Sequence, residues 1–438
     1  MTAMKKSAAP AGLAARRAAL DILTLIESGA ALDNALATCR SFSALAGSDR
    51  AFARLLATSV LRRRGALDAL IGAHIDKPLP RRAARASDIL RLAAAQSVLL
   101  GTPDHAAVST AVALAKSFRE TAGYAGLVNA VVRKIARGGK AAIDKLPERV
   151  DTPGWLWRAL DRAYGPATAR AIARAHRPEP PLDLTPLHTD DREALAAALD
   201  ATVLPTGSLR RRAPGDIAAL AGFAEGKWQV QDAAAALPAR LLGDVAGKRV
   251  FDLCAAPGGK TVQLAAAGAH VTAVDISGHR LKLVSENLAR TGLAAETVKA
   301  DILDWAPETK ADAILLDAPC TATGTMRRHP DILWLKREED IAALAERQAQ
   351  LIDKAARLLN EGGLLVYATC SLLPEEGERQ IEAALARHES LKRVPISPEE
   401  ISGLSEAVTR TGDLRTLPSM WAEIGGLDGF FAARLRRN

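Results

Sequence analysis

The chain has 438 residues, 48% hydrophobic and 25% charged, the composition of an ordinary globular protein with room for two or three domains. Its net charge of +8 is unevenly placed: residues 1–150 hold 23 Lys and Arg against 11 Asp and Glu, the remainder 35 against 39. A basic first third points to a polyanion-binding module or to a solvated basic face. Four scattered cysteines (Cys39, Cys254, Cys320, Cys370) argue against a disulfide framework, and none are paired at zinc-finger spacing, so no metal site is expected. No apolar run reaches the roughly 18 residues of a membrane span. Arg16-Arg17 interrupts the Ala-rich stretch after Lys5-Lys6 before a signal-peptide core forms, so a cytoplasmic protein is expected.

In chain order, residues 12 to about 138 read as helices. Leu20, Leu23 and Ile26, then Leu32 and Leu36, Leu55 to Leu61, Ile89 to Leu100, Val108 to Leu114, and Leu127, Val131 and Ile135 recur at helical spacing. Arginine clusters stand at Arg62-Arg63-Arg64 and Arg81-Arg82. Residues 145 to about 240, with Pro178, Pro180 and Pro181, read as a connector and a small mixed α/β segment. From 248 the rhythm changes. Short apolar strands at Val250-Phe251, Val271–Val274, Ala313–Leu316 and Leu364–Tyr367 alternate with helices near 261–267, 280–290, 339–359 and 375–387. Such alternation predicts a parallel sheet covered on both faces, with ligands beyond the carboxyl ends of its strands.

The first of these strands runs into Asp252-Leu253-Cys254-Ala255-Ala256-Pro257-Gly258-Gly259-Lys260-Thr261. Small residues and glycines there let a ligand press against backbone where the next helix begins. A P-loop is excluded, because Cys254 stands where its first glycine belongs, and G-x-G-x-x-G is absent. Asp275 ends the second strand, where a carboxylate can accept ribose hydroxyls, and Asp301 follows Val298-Lys299-Ala300, placed to receive an adenine amino group. Acidic residues at successive strand ends suit a cationic nucleoside such as S-adenosylmethionine better than a phosphorylated one. Two cysteines then close two further strands, in Leu316-Asp317-Ala318-Pro319-Cys320-Thr321 and Tyr367-Ala368-Thr369-Cys370-Ser371. A lone buried cysteine is usually inert, but two beside a nucleoside site suit thiolate addition to carbon 6 of a cytosine, which makes carbon 5 nucleophilic. By spacing alone the two are equivalent.

These segments, with Arg327-Arg328-His329-Pro330-Asp331, Leu-Pro-Glu-Glu at 373–376 and Asp428-Gly429-Phe430-Phe431, resemble the RsmB/Sun branch of the NOL/NOP/Sun family of RNA cytosine-5 methyltransferases. The N-terminal helices resemble the NusB-type RNA-binding domain carried by that branch. The resemblance implies a multidomain protein: an all-α NusB-like domain (1–142), the connector and small α/β segment (143–240), and an α/β Rossmann-like class I methyltransferase domain (241–438). It implies S-adenosyl-L-methionine bound by Cys254, Ala255, Ala256, Pro257, Gly258, Gly259, Lys260, Asp275, Asp301 and Asp317. It makes Cys370 the nucleophile and Cys320 the residue that assists product release, with Asp317 and Lys260 on the cytosine ring. DNA cytosine methyltransferases attack with a Pro-Cys cysteine, which keeps Cys320 as the alternative nucleophile. The implied partner is ribosomal RNA, favouring the small subunit and its 16S RNA, and the implied state is a monomer. With aromatic residues at only 4%, recognition is expected through phosphates and RNA shape, with the target base flipped out. Two departures stand out: Thr321 replaces the serine expected after Cys320, and Asp183-Leu184-Thr185 replaces Arg-Ile-Asn. An RNA-binding assembly scaffold and a DNA cytosine methyltransferase are the competing readings.

Overall fold

A computed structural model of the protein describes residues 12–188, 192–212 and 215–438; Lys5 and Lys6 lie outside them. One packed unit is the chain up to Arg158 together with His329–Lys336, and the other is Ala159–Arg328 with Arg337–Asn438.

The first unit is helical: α1 (Leu13–Glu27), α2 (Leu32–Thr38), α3 (Arg40–Ser43), α4 (Gly47–Arg62), α5 (Arg64–Gly72), α6 (Ala84–Val98), α7 (Asp104–Lys116) and α8 (Ala125–Asp144). Their i, i+3, i+4 apolar positions, among them Leu20, Leu23, Leu56, Val60, Ile89, Leu90, Val131 and Ile135, meet in one core. The unit continues past 142 because later residues satisfy helix ends that have no partner of their own. Asp151 accepts the Ala66 N–H in the first turn of α5 (2.8 Å), and a side chain at Gly65 would strike the Val150 carbonyl. Asp331 likewise accepts the Leu32 N–H that opens α2 (2.9 Å). Trp334 donates its indole N–H to the Leu61 carbonyl (2.7 Å) while the Arg64 guanidinium covers its ring.

The arginine triplet does not form a free basic face. Arg62 is buried, Arg63 pairs with Asp151 at 2.8 Å, and Arg64 pairs with Glu27 and stacks on Trp334. The triplet straddles the junction of α4 and α5, so its side chains diverge into separate structural roles. Exposed basic residues instead line α8: Arg133, Lys134, Arg137 and Lys140. Arg133, Lys134 and Arg137 fall on neighbouring turns of one helix surface, and Lys140 follows a kink at Gly139 (φ 58°).

The helix α9 (Gly154–Ala175) crosses from the first unit into the second at Arg158 and leads to a small antiparallel sheet of β1 (Leu182–Pro186), β2 (Thr202–Val203), β3 (Leu209–Arg211) and β4 (Trp228–Val230), in the order β2-β3-β1-β4, with α10 (Arg192–Ala198) packed on it. Asp183 and Arg210 are cross-strand partners and form a buried two-pronged ion pair, both hydrogen bonds 2.7 Å. Asp183 in place of the expected arginine is thus matched by an arginine opposite it.

After α11 (Leu237–Arg240) the chain enters the larger sheet through β5 (Arg249–Leu253), α12 (Gly259–Ala266), β6 (His270–Asp275), α13 (Gly278–Thr291), β7 (Glu296–Lys299) and β8 (Ala311–Asp317). It passes through α14 (Ile332–Leu335), part of the helical unit, and returns as α15 (Asp340–Leu358), β9 (Leu359–Thr369), α16 (Glu378–Arg387), β10 (Leu391–Arg393), β11 (Leu414–Thr416) and β12 (Phe430–Arg437). Strands β5 to β9 are parallel, as predicted, and all but the exposed edge strand β7 are largely buried on both faces. The sheet is mixed, however. In the order β10-β12-β9-β8-β5-β6-β7, β12 runs antiparallel to β9 over six residue pairs and itself pairs antiparallel with β10 and β11. This hairpin-like addition covers the β9 edge, which a purely parallel sheet would leave open. The strand order reverses between β5 and β8, and the crevice at such a reversal is where ligands bind in sheets of this kind.

Candidate active site

The carboxyl ends of β5, β6, β8 and β9 bring the predicted residues together. Beyond β5, Cys254 takes a positive φ of 61° and Gly258 one of 103°, wrapping the backbone into a tight loop ahead of α12. A Cβ at Gly258 would crowd Val284 of α13, at 3.0 Å from its backbone, so the loop lies too close to α13 for any larger residue. Asp275 fastens the loop: its Oδ2 accepts the Ala256 N–H (3.1 Å) and its Oδ1 the Ser277 N–H (2.9 Å), leaving a further lone pair on each oxygen. Beneath the loop, Asp252 is fully buried, accepts the Thr261 hydroxyl at 2.6 Å, and is pushed up by burial to about 7.

Lys260, at the start of α12, reaches across to Asp317 at the end of β8, Nζ to Oδ2 2.7 Å. Burial alone lowers the ammonium, but the charges of Asp317, Asp252 and Cys370 outweigh it and hold Lys260 above its ordinary value. Its Nζ also lies 5.2 Å from the centre of the Phe430 ring. The two strand-end cysteines meet: Cys320 and Cys370 place their sulfurs 3.5 Å apart. The hydrogen bond to the Cys370 sulfur, then burial and the nearby charges of Cys370 and Glu376, push the Cys320 thiol well up. Cys254 is pushed up by burial and by Asp317, Asp275 and Asp252. Gly324 joins the two cysteine loops, donating its N–H to the Cys370 carbonyl (2.9 Å) where a Cβ would strike the Gly429 carbonyl.

Asp301 follows β7, one strand beyond Asp275. The Leu303 N–H and then Arg347 of α15, 2.6 Å away, hold its carboxyl below the usual range.

The family described as 16S rRNA methyltransferase RsmB/F matches residues 239–436, and the NusB family matches residues 13–137. The ribosomal RNA small subunit methyltransferase B of Salmonella arizonae is 36% identical over 436 residues, spanning 95% of this chain and 97% of its own. Its namesake in Klebsiella pneumoniae is 36% identical over 445 residues, spanning 96% and 98%. The chain belongs to the RsmB/F methyltransferase family. The solved structure of PH0851 superposes with a TM-score of 0.75 at 22% identity, over 97% of this chain and 99% of its own, and shares the fold. The protein is therefore an S-adenosylmethionine-dependent methyltransferase with an N-terminal helical NusB domain.

Three further residues lie beside the predicted ones. Ile276, 63% exposed directly after Asp275, presents an apolar surface at the end of β6; an apolar residue following a strand-end acid was the available signal. Arg347 holds Asp301 from a helix 46 residues away, with no local signal. Glu376 is completely buried beneath both cysteine loops, whereas its neighbour Glu375 pairs with Arg379 at the surface, and Leu-Pro-Glu-Glu does not distinguish them.

Proposed function

We propose that the protein methylates carbon 5 of a cytosine in 16S ribosomal RNA, attacking carbon 6 with Cys370. The observation that carries this reading is the pair of sulfurs 3.5 Å apart beside the Lys260–Asp317 pair. The family and the names of its relatives support the RNA substrate. The cofactor fits the residues present: the glycine-constrained loop Cys254–Gly259 admits a ligand against backbone, and Asp275 retains free lone pairs at the ribose position. Asp301, beyond β7, would receive the adenine amino group, and the exposed Ile276 would offer an apolar surface to the base. Bound S-adenosylmethionine supplies an electrophilic methyl group. Cys370 attacks carbon 6, and the Lys260 ammonium, donating to the N3 and O2 side of the ring, offsets the negative charge that develops there. Asp317 orients Lys260 and can accept a hydrogen bond from the cytosine amino group. Bisulfite sequencing of ribosomal RNA from a strain lacking the protein tests the assignment. One 16S cytosine is expected to lose its protection and to regain it on complementation; an unchanged 16S pattern refutes the substrate.

Charge-assisted hydrogen bonds from a ribose contribute about 1.5–3 kcal/mol, so Asp275→Ala is expected to weaken S-adenosylmethionine binding by roughly that amount. Calorimetric titration with unchanged affinity would refute this part of the site.

The NusB domain holds RNA through phosphates on the exposed α8 face, in this reading, because Arg62, Arg63 and Arg64 are engaged within the fold. Replacing Arg133, Lys134, Arg137 and Lys140 with glutamine is expected to weaken RNA binding and to flatten its dependence on salt. Each phosphate no longer neutralised by a side chain should reduce the log–log slope by about 0.7–0.9. Cofactor affinity is expected to stay the same. RNA affinities that match the unaltered protein across a salt series contradict the assignment.

A further inference from the structure

The residues that follow the two cysteines converge on one buried carboxylate. Glu376 lies in the one-turn helix Pro374–Glu376, between the end of β9 and α16, and has no exposed surface. Its Oε1 accepts the Thr321 N–H at 2.9 Å and the Gln348 side-chain amide at 3.2 Å. Its Oε2 accepts the Thr321 hydroxyl and the Ser371 hydroxyl, each at 2.5 Å. Thr321 follows Cys320 and Ser371 follows Cys370, so one side chain grips both loops one residue beyond each sulfur. The grip is braced from two sides. Gln348 also donates to the Pro319 carbonyl just before Cys320 (2.9 Å), and the Glu376 carbonyl accepts the Tyr367 hydroxyl (2.8 Å) and the Thr369 hydroxyl (3.2 Å) on β9.

We propose that Glu376 is a positioning residue that sets the spacing of Cys320 and Cys370, through Thr321 and Ser371. The inference rests on the two-thiol reading above. A buried carboxylate accepting four hydrogen bonds is held rigidly, since moving it leaves a charge and several donors unsatisfied where Glu376 itself is out of reach of water. Without it the two loops keep the Gly324 N–H to the Cys370 carbonyl (2.9 Å) and the Leu372 N–H to the Thr323 hydroxyl (2.9 Å), but lose the tie beside both sulfurs and can drift by tenths of an ångström or more. A misplacement of about 1 Å at reacting atoms can cost on the order of 100-fold in rate. The role also explains why Thr321 serves where serine was expected: the grip needs a hydroxyl and a backbone N–H, and threonine supplies both.

The carboxamide of Glu376→Gln keeps the shape but replaces one acceptor oxygen with a donor, so it cannot receive the same four donors. Thr321→Val paired with Ser371→Ala removes the two hydroxyls and leaves the glutamate. Five quantities are read on the full chain. They are the single-turnover rate of methyl transfer to 16S ribosomal RNA, the steady-state KM for that RNA, S-adenosylmethionine affinity by calorimetry, the melting temperature, and the rate at which diamide joins Cys320 to Cys370, followed by peptide mass spectrometry. Both variants are expected to lose about 100-fold in transfer rate, to cross-link at least ten-fold more slowly, and to keep KM for RNA and cofactor affinity within two-fold. Unchanged cross-linking in a folded variant overturns the positioning role even if the thiol mechanism stands. Slower cross-linking with full transfer shows that the attacking Cys370 keeps its place without Glu376 and overturns the positioning role. Parallel loss of cofactor binding and melting temperature in both variants assigns Glu376 to fold stability alone and also overturns the proposal.

Discussion

Incubated with substrate RNA and cofactor and run on a denaturing gel, Cys320→Ala is expected to show a retarded protein–RNA band, and Cys370→Ala none. An attacking thiol must be ionised, and Cys320 is held protonated in the resting site by the hydrogen bond to the Cys370 sulfur, by burial, and by the charges of Cys370 and Glu376. Once Cys370 is bonded to carbon 6, the hydrogen bond to its sulfur, the first of the causes that raise the Cys320 thiol, is lost. Cys320 can then release its proton to solvent and take the proton from carbon 5, allowing the carbon–sulfur bond to Cys370 to break. Cys370→Ala should therefore abolish both methyl transfer and adduct. Cys320→Ala should attack and methylate, then stall with the bond to Cys370 intact. An adduct from Cys370→Ala and none from Cys320→Ala would exchange the two roles, and full activity of both variants would remove the thiols from the reaction.

What could be read from the sequence was what is contiguous. The run Asp252–Thr261 is a strand end, a turn and a helix start in ten residues, and its chemistry depends on backbone that neighbours itself. The strand-end positions of Asp275, Asp317, Cys320 and Cys370 were visible because parallel strands carry their ligand residues at one end, whatever their order in the sheet. Residues whose meaning depends on distant partners were not legible. Arg63 looks like a phosphate-binding residue until Asp151, 88 residues on, claims it. Glu376 cannot be told from Glu375 until the loops at Thr321 and Ser371 fold over it. The strands β10 and β11, three residues each, are too short to carry a period, and only pairing with β12 makes them strands.

The motif Arg327-Arg328-His329-Pro330-Asp331 illustrates the same limit, because Arg328 proves to be an anchor, and its loss is expected to destabilise the second unit by about 3–5 kcal/mol, the usual cost of breaking a buried ion cluster from one side. Its guanidinium pairs with Asp232 at 2.6 Å, Asp428 at 3.2 Å and Asp183 at 3.7 Å, and donates to the Pro181 carbonyl. All three carboxylates are buried, and they come from the small sheet, the segment before α11 and the approach to β12. Asp183 would keep Arg210 and Asp428 would keep the more distant Arg327, but Asp232 would lose its nearest cation. In the intact protein Asp428 is already pushed up by burial and by the charge of Asp232. Asp232, in contrast, is held below the usual range, its burial outweighed by the charges of Arg328 and Arg327, so Arg328→Met should raise Asp232 and push Asp428 further up. A carboxyl whose folded pKa exceeds its unfolded value of about 3.9 costs stability progressively as pH rises from the unfolded pKa to the folded one. The deficit of Arg328→Met against the unaltered protein should therefore already be present at pH 5, where the unaltered protein holds Asp232 ionised, and grow through pH 7 to 8, while Arg328→Lys, with its charge but no fork, should fall between them. Urea unfolding of the three proteins at pH 5, 6.5 and 8 reads this directly. A deficit below about 1 kcal/mol, the range of an exposed pair, or one that does not grow with pH, would show that the cluster is not held by Arg328.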